Sequence, residues 1–219
     1  MLDRHPVRAL LFDVDGTLAD TDDQYVHYLF RQLQRFMSAE AAHRHARRLV
    51  MSLETPLNTL YEWADRLYLD ELWKKLTAGR AKTKPPLPFM AVPGIEQALQ
   101  QLRTSFKLAV VSARGQHGTM AFLEQFGLCD HFGTVITSHS CRNNKPHPEP
   151  VLLAASRLQV APHDCIMIGD TVMDIRAGKA AGCQTIGVLC GFGTPQELAA
   201  AGADMRLAST VEVADFLLP

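Results

Sequence analysis

The sequence predicts an α/β protein: a parallel sheet with helices on both faces, and a helical subdomain inserted after the first strand. Three observations predict it. From residue 93 onward, short apolar runs alternate with stretches of helical spacing. Near the start, the apolar run Val7–Phe12, broken by Arg8, ends in Asp13-Val14-Asp15-Gly16-Thr17, as a buried strand ends in a carboxylate-bearing turn. Between these two regions the composition shifts, and all 4 tyrosines and both tryptophans fall between residues 25 and 73.

The first strand is placed at residues 7–13. Tyr25, Leu29, Leu33 and Phe36 then recur at intervals of four, four and three, which predicts a helix over 22–37 starting at Asp20, Thr21 or Asp22. Further helices are expected over 40–53 and 57–79, the last closed by Gly79, before the stiff linker Lys84-Pro85-Pro86-Leu87-Pro88. Residues 19–92 carry eleven Lys and Arg against nine Asp and Glu, so this insert is slightly basic and the remainder acidic. The domain boundaries expected are a core of residues 1–18 and 91–219 and an inserted helical domain over 19–90.

After Pro93-Gly94, Ile95–Leu102 suits a helix and Lys107–Val111 a short buried strand ending at Ser112. A helix over 116–126 stops at Gly127, and Gly133–Thr137 is a third strand. Pro148–Leu158 is helical with proline in its first turn. Cys165–Ile168 is a fourth strand ending at Gly169-Asp170, followed by a helix over 172–181 and a fifth strand at Thr185–Val188. Helices over 195–201 and 211–217 flank a short edge strand at Met205-Arg206-Leu207. Such alternation implies right-handed crossovers between parallel strands.

Composition excludes several function classes. A formal net charge of −1 offers no electrostatic case for nucleic acid or an anionic membrane surface. No apolar run reaches the length of a membrane span, and Met1–Pro6 lacks the apolar core of a signal peptide. The five cysteines (Cys129, Cys141, Cys165, Cys183, Cys190) are odd in number and form no C-x-x-C pair, which suits reduced thiols in a cytoplasmic protein.

The chemistry collects where strands end. Asp13-x-Asp15, Ser112, Lys145 in Asn143-Asn144-Lys145-Pro146, and Gly169-Asp170-Thr171-Val172-Met173-Asp174 each lie just past a strand or at a helix start. Parallel strands put their carboxyl ends on one edge, so these groups can converge. Carboxylates gathered there are costly unless paired with a cation or with protons. The set forms a coherent device for phosphoryl transfer. Magnesium wants oxygen ligands, which Asp13 and Asp170 can supply. One carboxylate can attack phosphorus, and a second, pushed toward protonation, can act as general acid and then base. A hydroxyl and an ammonium can hold the phosphoryl oxygens and offset charge in the transition state.

Asp13-Val14-Asp15-Gly16-Thr17 resembles the first motif of the haloacid dehalogenase-like superfamily, in its phosphatase branch. Ser112 after an apolar strand resembles the second motif, Lys145-Pro146 the third and Gly169-Asp170-x-x-x-Asp174 the fourth, all in the family order. The insert resembles the family's small α-helical cap. The resemblance implies a Rossmann-like core and hydrolysis of a small phosphomonoester through an aspartyl-phosphate. It implies magnesium as cofactor, a small phosphorylated metabolite as partner, and similarity to phosphoglycolate phosphatases; a monomer or homodimer is expected. By the same resemblance, Asp13 is the nucleophile and Asp15 the acid and then the base. Ser112, with Ala113 beside it, and Lys145 hold the phosphoryl group. Magnesium is implied between Asp13, the backbone carbonyl of Asp15 and Asp170, with Asp174 a direct or outer ligand. Gly16 permits the tight turn, and Thr17 braces the loop or contacts substrate. Ser112-Ala113-Arg114 departs from the second motif, where a lysine is common at the third position; Arg114 is a candidate substrate contact, with plain solvent exposure as the alternative.

Asp15, Asp170 and Asp174 together disfavour the dehalogenase branch, which needs neither that acid nor a metal site. Two rivals remain: a mutase resembling β-phosphoglucomutase, and a non-catalytic phospholigand-binding module on the same fold. The basic run His43-Arg44-His45-Ala46-Arg47-Arg48 reads as a solvated helix face, and the insert's aromatics as helix packing.

Overall fold

Four consecutive apolar side chains make β1 (Ala9–Phe12) a strand buried on both faces, and the core is built around it. The computed structural model describes residues 7–20, 29–38, 41–42 and 89–218. After β1 these contain α1 (Ile95–Leu102), β2 (Lys107–Val111), α2 (Gln116–Gln125), β3 (Thr134–Ile136), α3 (Glu149–Leu158), β4 (Cys165–Gly169), α4 (Val172–Ala180), β5 (Gln184–Val188), α5 (Pro195–Ala200), β6 (Met205–Leu207) and α6 (Glu212–Leu217). The strands form one parallel sheet in the order β3-β2-β1-β4-β5-β6. The chain winds outward through β2 and β3, then returns across β1 to build the other half. The boundary between β1 and β4 is thus a topological switch point, where open α/β sheets bind ligands beyond their strand ends. Phe12 stands opposite Val110 on β2 and Ile168 on β4, so the residues just past these strands share one edge.

Alternation along β1 divides the core. Leu10 and Phe12 join a cluster with Ile95, Leu99 and Leu102 of α1, Phe122 and Leu123 of α2, and Val213 and Ala214 of α6. Ala9 and Leu11 join a second cluster with Val151, Ala154, Ala155 and Leu158 of α3 and Ala177 of α4. Helices therefore cover both faces, as the Rossmann-like reading expects. Burying one such large side chain stabilises the fold by roughly 1.5–3 kcal/mol. Phe12 adds an edge-to-face contact with Phe132, centroids 6.3 Å apart.

Every core element expected from the sequence is present, with ends shifted by one or two residues. Two single 3-10 turns, Cys129–His131 and Pro162–Asp164, were not anticipated; each leads into the strand that follows.

The chain divides into two compact units, Met1–Thr21 with Phe89–Pro219, and Asp22–Pro88. Within the first unit the two passages of chain bordering the insert run side by side. Ala19 and Ala91 form an antiparallel bridge, and Asp20 N donates to Met90 O at 2.8 Å. In the second unit, residues 29–33 are helical and 34–36 form a turn. Phe36, expected on the helix stripe, lies in that turn and is exposed. The helices expected over 40–53 and 57–79, apart from helical residues 41–42, lie outside the described residues, as do the linker at 84–88, the basic run and the insert's tyrosines and tryptophans. Among the described residues, no helix is long and apolar enough to cross a membrane. All five cysteines are free.

Candidate active site

The sheet's bonding carries one residue beyond β1: Asp13 N donates to Ile168 O at 2.9 Å. The chain then turns around the Val14 carbonyl, which accepts from the N–H groups of Thr17 (3.2 Å), Leu18 (2.9 Å) and Ala19 (2.7 Å). Gly16 turns with φ 71°, and a Cβ there would overlap the Asp170 carboxylate, so both conformation and space require glycine. Thr17 is fully buried; its hydroxyl donates to Asp170 Oδ1 at 3.3 Å, and its carbonyl accepts from Thr210 Oγ1 at 2.7 Å. This corrects one expectation. Thr17 braces the loop and has no surface left to offer a substrate.

Lys145, from the loop between β3 and α3, reaches back under the sheet edge. Its Nζ donates to Asp13 Oδ1 (2.7 Å), Asp174 Oδ1 (2.5 Å) and the Val111 carbonyl (2.9 Å). Asp174 stands in the first turn of α4, where its Oδ2 accepts from Thr171 N (3.0 Å) and Thr171 Oγ1 (2.6 Å). The same carboxylate thus caps the helix and anchors the lysine. Asp170 follows β4 directly and is fully buried. One carboxylate oxygen from each of Asp13, Asp170 and Asp174 lies within 4.8 Å of the other two.

Among the described residues, three buried carboxylates gather here with one ammonium, which bonds to two of them. Burial would strip Lys145 of its proton, but Asp13 and Asp174 more than offset this and push its pKa above the ordinary lysine range. Burial lifts the Asp13 carboxyl to about 7, with Asp174 and Asp15 adding to the rise and Lys145 opposing it. Burial, then Asp174 and Asp13, also raise Asp170 well above the usual carboxylate range. The site is short of positive charge, and its donors are hard oxygens. A divalent cation preferring oxygen fits both facts.

A pH dependence follows from Asp13. Its folded pKa is raised, so its contribution to stability is whole below the ordinary value of 3.8 and is lost as pH climbs to about 7. In metal-free buffer, Asp13→Asn is neutral throughout and should gain melting temperature relative to wild type across that window. Paired thermal melts in chelator at about pH 4 and about pH 8 read the difference, and an equal offset at both would contradict it.

Ser112 follows β2, with its N–H on Ile136 O (2.9 Å) and its Oγ accepting from Arg114 N (3.1 Å). Ser112 is buried, while Ala113 beside it is exposed. Asp15 stands apart from the lysine cluster. Arg114 Nε donates to its Oδ2 at 3.0 Å, and an Arg114 terminal nitrogen donates to its Oδ1. Arg114 is therefore neither idle nor merely solvated; it grips the second aspartate of the first motif.

The sequence reading missed the loop after β5. Phe192 N donates to Asp170 Oδ2 at 2.8 Å. A Cβ on Gly191 would overlap the Asp170 carboxylate and the Gly16 carbonyl, and one on Gly193 would overlap the Asp170 carbonyl. The available signal was Gly191-Phe192-Gly193 just past a strand end, on the edge where the aspartates gather.

The model of the haloacid dehalogenase-like hydrolase family matches residues 10–188, from β1 to the end of β5, and with this fold and acidic edge the chain belongs to that family. It is similar to particular members. It is 27% identical to a phosphoglycolate phosphatase of Nitrosococcus oceani over 95% of each chain. It is 31% identical to the pyrophosphatase PpaX of Anoxybacillus flavithermus over 83% of each. Among solved structures, a candidate β-phosphoglucomutase of Thermotoga maritima shares the fold, with a TM-score of 0.65, 22% identity, and coverage of 96% of this chain and 98% of that one.

Proposed function

We propose that the protein is a magnesium-dependent phosphatase that hydrolyses a small phosphomonoester through an aspartyl-phosphate on Asp13. The observation that carries this reading is the shared lysine: one buried ammonium bonded to Asp13 and Asp174, at a cluster whose third carboxylate is Asp170. A carboxylate so held, at the switch point of the sheet, is aimed and desolvated for attack on phosphorus. The relatives named as phosphatases support the same reaction.

In the first half, an Asp13 oxygen bonds to phosphorus as the bond from phosphorus to the leaving oxygen breaks. Asp15, protonated and turned off Arg114, gives its proton to that oxygen. In the second half, Asp15 takes a proton from water as the water oxygen bonds to phosphorus. The phosphorus–oxygen bond to Asp13 breaks, which restores the carboxylate and frees inorganic phosphate. Lys145, the Ser112 hydroxyl and the Ala113 N–H serve as donors to the phosphoryl oxygens. Arg114 N already occupies one lone pair of Ser112 Oγ, which leaves its O–H to donate. Asp13, Asp170 and the Asp15 carbonyl would hold magnesium, whose charge when bound offsets that of the phosphoryl oxygens. Asp174 spends both oxygens on Lys145 and Thr171 and works from behind as the lysine's anchor. The inserted unit is the proposed cap that selects the leaving group and keeps bulk water out.

Phosphate release from a panel of small phosphomonoesters tests the reading. Release should vanish in chelator, return with magnesium and be absent in Asp13→Asn. Metal-independent release, or a wild-type rate in Asp13→Asn, would contradict it. Isomerisation of a phosphosugar without net phosphate release would assign the same Asp13 chemistry to a mutase instead.

A further inference from the structure

Arg114 is where the chain departs from the second motif, and its surroundings give it a definite posture. One edge of its guanidinium makes the two bonds to Asp15. Its central carbon lies over the Phe89 ring, 5.1 Å from the centroid, and Phe89 packs edge-on against Phe122 at 5.9 Å. The side chain keeps 23% of its surface open. Lys145, by contrast, is buried and committed to two carboxylates and a carbonyl. Arg114 is thus a cation of this edge that a ligand can reach.

A carboxylate that accepts bonds from both arms of a guanidinium has no proton to deliver. To serve the leaving oxygen, Asp15 must leave Arg114, take up a proton from solvent water and turn to that oxygen. The exchange leaves a planar fork, still resting on Phe89, one carboxylate's width from the ester oxygen and lacking an anion. Guanidinium forks bind carboxylate and phosphoryl oxygens in pairs.

We propose that Arg114 is a leaving-group receptor: it takes a second anionic group, carboxylate or phosphoryl, carried by the substrate within one or two atoms of the ester oxygen. The proposal rests on the phosphatase reading and names the substrate class within it, phosphate esters or anhydrides with an anionic leaving group. The substrate's anion replaces Asp15 on the fork as Asp15 turns to the ester oxygen. A substrate with an uncharged leaving group leaves the fork unpaired at that moment and is disfavoured in the transition state.

The test compares 2-phosphoglycolate with ethyl phosphate, near-isosteres that differ by the carboxylate. The quantity read is the ratio of their kcat/KM values in wild type, Arg114→Ala and Arg114→Lys. Disturbance of Asp15 touches both substrates and cancels in the ratio. The ratio should favour phosphoglycolate in wild type, fall roughly 10- to 100-fold in Arg114→Ala, and fall less in Arg114→Lys, which keeps charge but not the fork. Thermal melts confirm that both variants are folded. An unchanged ratio, whether both rates drop or neither does, overturns the proposal and leaves Arg114 acting on Asp15 alone; so does a wild type that prefers ethyl phosphate. A wild type as silent as Asp13→Asn on every ester of the panel would remove the phosphatase reading itself, and the receptor with it.

Discussion

Asp13→Asn should lower phosphate release by on the order of 10⁴-fold or more while the protein stays folded. The substitution keeps size and shape but replaces an anionic oxygen with a neutral amide, which is a poor nucleophile. Lys145 loses one of its two carboxylate partners, but its other anchors remain. Lys145 keeps Asp174 at 2.5 Å and the Val111 carbonyl at 2.9 Å. The Asp13 N–H still completes the sheet through Ile168 O. The checks are phosphate release by protein purified free of other phosphatases, and a thermal melt. A rate within tenfold of wild type would contradict the assignment of Asp13.

Lys145→Met should cost both activity and stability, and the stability loss is the more telling part. Methionine nearly matches the alkyl stem, so packing changes little. The change removes the cation between Asp13 and Asp174, both buried, and leaves the Val111 carbonyl without its donor. Breaking a buried ion pair from one side costs about 3–5 kcal/mol. At about 2–4 °C per kcal/mol for a chain of this size, the melting temperature should fall by roughly 10 °C. The orphaned carboxylates can recover part of that by taking up protons, so the loss should grow as pH rises. Thermal melts in chelator at acidic and alkaline pH measure it. A melting temperature within about 2 °C of wild type would show that the cluster does not carry the charge balance ascribed to it.

Asp13, Asp170 and Lys145 were legible in the sequence because their signals are local. Asp13 stands at the end of an apolar run, Asp170 does the same after Cys165–Gly169, and Lys145 precedes a proline in a polar loop. Parallel strands then gather such positions on one edge, whatever separates them in the chain. What escaped depends on closure across the chain. Thr17 was a candidate for substrate contact because it sits beside the aspartates; only the folded chain shows Thr210, 193 residues away, sealing it in. Gly191-Phe192-Gly193 carries no charge to mark it in the sequence, and its grip on Asp170 appears only once β5 is laid beside β4. The Arg114–Asp15 pair spans 99 residues, and no periodicity or spacing could announce it. Phe36 fitted a helix stripe by interval alone, but the helix gives way to a turn at 34–36.

A covalent phosphate on Asp13 can be caught by reductive trapping. Protein turning over a phosphate ester is quenched in denaturant with borohydride, which reduces an acyl phosphate to the alcohol, and peptides are read by mass spectrometry. Homoserine at position 13, dependent on substrate and on magnesium, is the expected product. Turnover with position 13 unmodified, or with the label at another carboxylate, would contradict it.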